Sequence, residues 1–200
     1  MYQAMDLALK YLNSMGHKVI AYGFPYDRNN YNSRFLVWKN YIKEITGSTG
    51  WEKYLLAIHK NEMKNDPRIL PFSEDLPEQS IHIEEDFFGK GKLAAQVFME
   101  RKLNATAIIC FNDEFAIGMI KGFQEMGVNV PEQISVMGID GIGTRKYLSP
   151  SLTTVNMFPK KQGRECANVL IDIIEKKNKR YIVHLKPKLQ IGESVKNLHT

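Results

Sequence analysis

The sequence predicts an α/β protein with a parallel, Rossmann-like sheet, and three observations carry that reading. Short apolar runs rich in Ile and Val occur at 107–111 and 134–139. The first is unbroken, and both read as strands buried on both faces. Between them Phe115, Ile117, Met119, Ile120 and Phe123 supply the apolar face of a helix that Gly127 closes. The third observation is where each run ends: one on Asn112 and Asp113, the other on Asp140 and Gly141. A strand, a helix and a second strand joined this way form a parallel crossover unit. Open α/β sheets bind ligands just past the carboxyl ends of their strands, and Asn112 and Asp140 arrive at that edge.

The remaining elements follow in chain order. Residues 1–15 read as an amphipathic helix, with Ala4, Ala8, Tyr11, Leu12 and Met15 on one face and Gly16 ending it. A strand is predicted at 18–22, followed by a loop at its carboxyl end that holds Tyr26, Asp27 and Arg28. Phe35, Trp38, Ile42 and Ile45 define the buried face of the next helix. Arg34 lies in its first turn, where the helix dipole disfavours a cation, so it either reaches a ligand or lies on the surface. Trp51, Tyr54, Leu55 and Ile58 mark a short helix inside 47–79, a Pro-interrupted segment with too few apolar residues to close a core of its own. A strand at 80–83 leads through Phe87 and Phe88 into a helix over about 91–102. Those two aromatics either stack on a flat or sugar-like ligand face or lid the core. Asp113 is placed to cap the helix after the 107–111 strand. A strand or crossover at 152–157, a helix at 159–177 opened by Pro159, and two short strands at 181–185 and 188–192 end the chain. Ala167, Leu170, Ile171 and Ile174 form the apolar face of that last helix.

Composition sets broader bounds. Two hundred residues, 44% hydrophobic and 24% charged, are ordinary for a soluble globular protein. The net charge of +5 permits nucleic-acid contact, but it is dispersed, and the Lys176, Lys177, Lys179, Arg180 cluster reads as a solvated helix end. Cys110 and Cys166 have neither metal-ligand spacing nor a disulfide framework, and no run approaches the roughly 18 apolar residues a membrane helix needs; the expected location is cytoplasmic. There is no nucleophile elbow, no Walker-type loop and no GxGxxG. The five histidines are scattered without an acidic partner, and no catalysis, metal or cofactor is expected.

Taken in order, several segments resemble the effector-binding domain of the LacI/GalR transcriptional repressors, which shares its periplasmic-binding-protein-like fold, type I, with periplasmic sugar-binding proteins. MGHKVIAYG at 15–23 is similar to the family's "LGH-xx-IA". Arg34, Phe35 and Trp38 resemble its "R-L-x-G-F" helix start. AIICFNDEFAIG at 107–118 resembles "a-xx-NDxxAxG", and VPEQISVMGID at 130–140 is close to "VPxDIsVvGfD". LTTV at 152–155 and PKLQIGES at 187–194 complete the series. The resemblance implies that Arg34, Asn112 and Asp140 hydrogen-bond sugar hydroxyls or a nucleobase in a cleft; Phe87 and Tyr26 are expected as further ligand-binding residues. It also implies a homodimer, and operator DNA bound through a helix-turn-helix not in this chain. Residues 1–152 and 181–200 then correspond to the second subdomain, and 153–180 to a crossover strand and helix belonging to a first subdomain that is mostly absent, which leaves the helix's apolar face exposed or covered by another chain. Met157, Val37 and Gly192 stand where the family usually has Gln, Gly and Arg. The alternatives are a periplasmic sugar-binding protein of a transport system and a doubly wound enzyme without its catalytic half.

Overall fold

A computed structural model of the chain describes residues 2–24, 33–58, 86–175 and 184–199. The first helix, α1 (Tyr2–Ser14), buries Ala4, Met5, Ala8, Leu9 and Leu12, and Gly16 at φ 92° turns the chain out of it. Strand β1 (Ile20–Phe24) is buried throughout. Helix α2 (Ser33–Thr46) sends Arg34, Phe35, Trp38 and Ile42 inward. A 3-10 turn at Glu52–Tyr54 runs straight into β2 (Leu55–Ala57). The order then continues through α3 (Phe87–Glu100), β3 (Ala107–Cys110), α4 (Asp113–Glu125), β4 (Ser135–Asp140), β5 (Thr153–Asn156), α5 (Pro159–Ile174) and β6 (Lys188–Gln190).

The strands form one sheet in the order β2-β1-β3-β4-β5-β6. All pairs are parallel except β5–β6. β3 and β4 are parallel neighbours with Ile109 opposite Met137, as the strand–helix–strand unit requires. The two faces follow from β1, because successive side chains of a strand point opposite ways. Tyr22 packs on Trp38 of α2, with ring centroids 5.5 Å apart. A Cβ on the next residue, Gly23, would lie 2.6 Å from the Phe115 ring of α4. α1 and α2 pack together on the first side, α3 and α4 on the second. The last pair meets backbone to backbone: a Cβ on Gly91 would fall 2.1 Å from the Phe115 carbonyl oxygen, and one on Gly118 would fall 2.0 Å from that of Phe88. Only glycine permits that approach, and it draws the start of α3 against the start of α4.

Several expectations change in detail. β1 begins and ends two residues later than 18–22, since Gly23 and Phe24 pair with Leu56 and Ala57 of β2. The segment at 51–58, expected to be helical, is a 3-10 turn and a strand. Leu55, Leu56, Ala57 and Ile58 make a continuous apolar run, and pairing with β1 overrides its helical spacing. Ile45 is exposed. Helix α3 starts at Phe87, earlier than 91, because the Asp86 carboxylate accepts from the Gly89 N–H at 3.0 Å and caps it there. Asp113 is not the cap of α4; Asn112 is. The expected strand at 80–83, most of 47–79, the basic cluster at 176–180 and the loop residue Tyr26 lie outside the described residues, as do 181–183 of the expected 181–185 strand. β6 is the described strand of the final pair. Helix α5 buries nothing: Leu170, Ile173 and Ile174 are 58%, 57% and 70% exposed.

Candidate ligand site at the strand tips

The site is built at the carboxyl ends of β3 and β4. Continuing their register by three residues puts Asn112 level with Asp140, one strand spacing apart. The Asn112 side-chain oxygen accepts from the Phe115 N–H at 2.8 Å and caps α4. That bond fixes which way the amide faces, because only its oxygen can accept from an N–H. Its NH2 group donates to nothing among the described residues and stays available at the strand tip.

Arg34 resolves its ambiguous place in the first turn of α2: it is buried. Its Nη1 donates to the Phe111 carbonyl at 2.7 Å, and its Nη2 stands 3.9 Å from Asp140 Oδ1. The guanidinium thus reaches the last turns of both central strands. It also lies over the Phe111 ring, 5.6 Å from the centroid. On that ring's other contacts sit Phe87 and Phe24, with centroids 5.9 Å and 5.6 Å away. Phe87 therefore belongs to an aromatic wall beside the Arg34–Asp140 pair. The close α3–α4 packing holds it there.

Asp140 is the uneasy member. Burial pushes its carboxyl up to about 6, although Arg34 pulls the other way and the neighbouring carboxylate of Asp113 adds to the rise. The ion pair and the raised value point in opposite directions. The distance decides between them: at 3.9 Å the pair is at the limit of contact and lacks the short charge-assisted bond that would offset desolvation. Asp140 also has φ 143°, a backbone region that suits glycine and costs other residues about 1–3 kcal/mol.

The structure thus brings Arg34, Asn112, Asp140 and Phe87 to one edge. Sequence reasoning missed two participants. Phe111 ended an apolar run and read as core, yet its carbonyl and ring both hold Arg34. Asp113 read as a helix cap. Instead its Oδ2 accepts from the N–H groups of Gly141 and Ile142, both at 2.8 Å, and Thr154 donates its hydroxyl to Oδ1. Gly138 was the available signal, since a Cβ there would sit 2.2 Å from the same Oδ1. Among the described residues no cluster of His, Cys, Asp and Glu is arranged to hold a metal ion, and no helix is long and apolar enough to cross a membrane.

The periplasmic binding protein-like domain family matches residues 9–195. The chain is 32% identical over 152 residues to the HTH-type transcriptional repressor PurR of Photobacterium profundum, an alignment covering 72% of this chain and 46% of that protein. To the PurR repressor of Vibrio cholerae it is 32% identical over 164 residues, covering 78% and 49%. The chain spans about half the length of the curated relatives it matches. Two solved structures share the fold. A sugar-binding transcriptional regulator of the LacI family from Escherichia coli, complexed with phosphate, gives a TM-score of 0.72 at 22% identity, covering 98% of this chain and 61% of that one. A LacI family transcriptional regulator from Enterococcus faecium with bound ribose gives 0.71 at 23%, covering 98% and 63%.

Proposed function

We propose, from the premise that this chain belongs to the periplasmic binding protein-like domain family, that it is the ligand-sensing part of a sugar-responsive LacI-type transcriptional regulator. The observation that carries the reading is Arg34 spanning the Phe111 carbonyl and the Asp140 carboxylate at neighbouring strand tips, with the donor amide of Asn112 beside them. A sugar hydroxyl both donates and accepts. Asp140 offers an acceptor, Asn112 and Arg34 offer donors, and the Phe87–Phe111 wall offers an apolar face for the ring's C–H groups. A pocket of paired polar groups discriminates strongly, because a ligand lacking one hydroxyl leaves a protein group unpaired.

On this reading the ligand Arg34, Asn112, Asp140 and Phe87 grip closes two subdomains on each other. That closure shifts a homodimer between states that differ in affinity for operator DNA. DNA contact falls to a helix-turn-helix outside these residues, and the setting is the cytoplasm. Tyr26, two residues after Phe24 in the sequence, is proposed as a further contact. Residues 1–152 and 181–200 form the second subdomain; the crossover at 153–180 carries α5 to the first, which covers the helix's apolar face. No enzymatic step and no cofactor enter this account.

Calorimetric titration with D-ribose, D-galactose and hypoxanthine tests the ligand class. Saturable binding of a sugar, weakened at least about tenfold in Asp140→Ala with the fold intact by circular dichroism, is the expected outcome. Sugar binding indifferent to Asp140→Ala removes the strand tips from the site, and binding of hypoxanthine alone replaces the sugar with a purine base.

A further inference from the structure

We propose that Asp113 is a positioning residue for effector binding: its carboxylate clamps the turn after β4 and so holds Asp140 in the strained conformation that aims it at Arg34. The inference rests on the sugar-sensing reading for its ligand, while the clamp itself stands on geometry alone.

Asp140 and Gly141 both have positive φ, 143° and 79°. Gly141 takes that conformation freely; Asp140 does not. Something must hold the turn, and the loose 3.9 Å contact with Arg34 is too weak to do it. The hydrogen bonds that close the turn come from Asp113. Its Oδ2 accepts from the two N–H groups directly after Asp140, and its Oδ1 accepts from Thr154 on the next strand. The carboxylate is fully buried, and the missing side chain of Gly138 makes the space for it. The Asp140 carbonyl also accepts from the Met157 N–H at 3.1 Å, so the turn is held from the start of α4 and from the end of β5. Asp113 also follows Asn112 directly in the chain. One buried carboxylate therefore sets the spacing between the two ligand-facing side chains without touching ligand. The charged groups acting on it are Arg145, which favours its ionised form, and Asp140.

Two variants of the 200-residue chain test this. Asp113→Ala removes both acceptor oxygens. Ile142→Pro deletes one of the clamped N–H groups where φ is already −65°, and it leaves the Asp113 charge in place. Amide hydrogen exchange is expected to show lost protection at Gly141 in both, with the β3 and β4 core still protected. Carbon-detected titration should place Asp140 back near its ordinary value in Ile142→Pro, which a neighbouring charge change cannot explain. D-ribose affinity should fall on the order of tenfold. Unchanged Gly141 protection, unchanged Asp140 titration, or wild-type ribose affinity in a variant whose turn has opened each overturns the positioning role. If Asp113→Ala does not fold, Ile142→Pro decides by the same readouts. If the wild type binds neither D-ribose nor D-galactose, the sugar reading fails, and the Asp140 titration in Ile142→Pro still decides the clamp.

Discussion

Replacing Asp140 by Asn should stabilise the unliganded protein at neutral pH while it disables the grip. The carboxyl is raised from 3.8 to about 6 by burial. At about 1.36 kcal/mol per pH unit, that difference sets a ceiling near 3 kcal/mol. The side chain is 38% exposed, and solvent screening reduces the expectation to about 1 kcal/mol. The sign follows from proton linkage. The folded protein holds this proton more tightly than the unfolded chain, so the stabilisation is complete below about pH 4 and is lost as pH rises through 6. Asn is neutral throughout and escapes the loss. Urea denaturation of both proteins at pH 4, 5, 6 and 7 isolates the effect, because other groups titrate alike in each. The stability difference should be near zero at pH 4 and about 1 kcal/mol in favour of Asp140→Asn at pH 7. A variant that is less stable at pH 7 would refute the argument, since the Arg34 ion pair would then outweigh desolvation.

Three further outcomes are expected. Gly118→Ala should cost about 3 kcal/mol in urea unfolding, because its methyl group meets the Phe88 carbonyl and the α3–α4 backbones must separate; a cost below 1 kcal/mol contradicts the contact. His17 is buried, with Nδ1 2.9 Å from the Thr106 hydroxyl and Nε2 3.0 Å from the Lys196 carbonyl. Burial lowers its proton affinity, so its contribution is complete above its ordinary value of about 6.5 and is lost as pH falls below it, and His17→Gln should flatten that acid limb of a stability profile. Ile173→Glu and Ile174→Glu on α5 should each change the stability of the 200-residue chain by less than about 0.5 kcal/mol and reduce self-association on gel filtration. A large loss would mean that this face is buried.

Much of the architecture was legible because it rests on local pattern. The apolar stretches before Asn112 and Asp140 stand as adjacent parallel strands, and Gly127 ends α4 at φ 72°. The 51–58 segment was not legible, because Leu55–Ala57 is extended only by virtue of β1 beside it. The cap of α4 misread for a similar reason. Asn112 and Asp113 are both good capping residues, and the choice was made by Gly141, Ile142 and Thr154, which lie 28 or more positions further along. Arg34 stood between a surface and a ligand role until the Phe111 carbonyl gave it a buried partner.

By itself, then, the sequence determined the strand–helix–strand core and the polar residues that close its strands. Hydrophobic period, helix stops and residue order are local quantities that neighbours along the chain impose. Tertiary structure alone decided the electrostatics of the edge: Arg34 spanning two strands, Phe87 drawn beside Phe111 by glycine-to-backbone packing, and Asp140 raised and strained. Those properties depend on distances between groups far apart in the chain and on the water excluded from between them, and both arise only when the sheet and its helices close together.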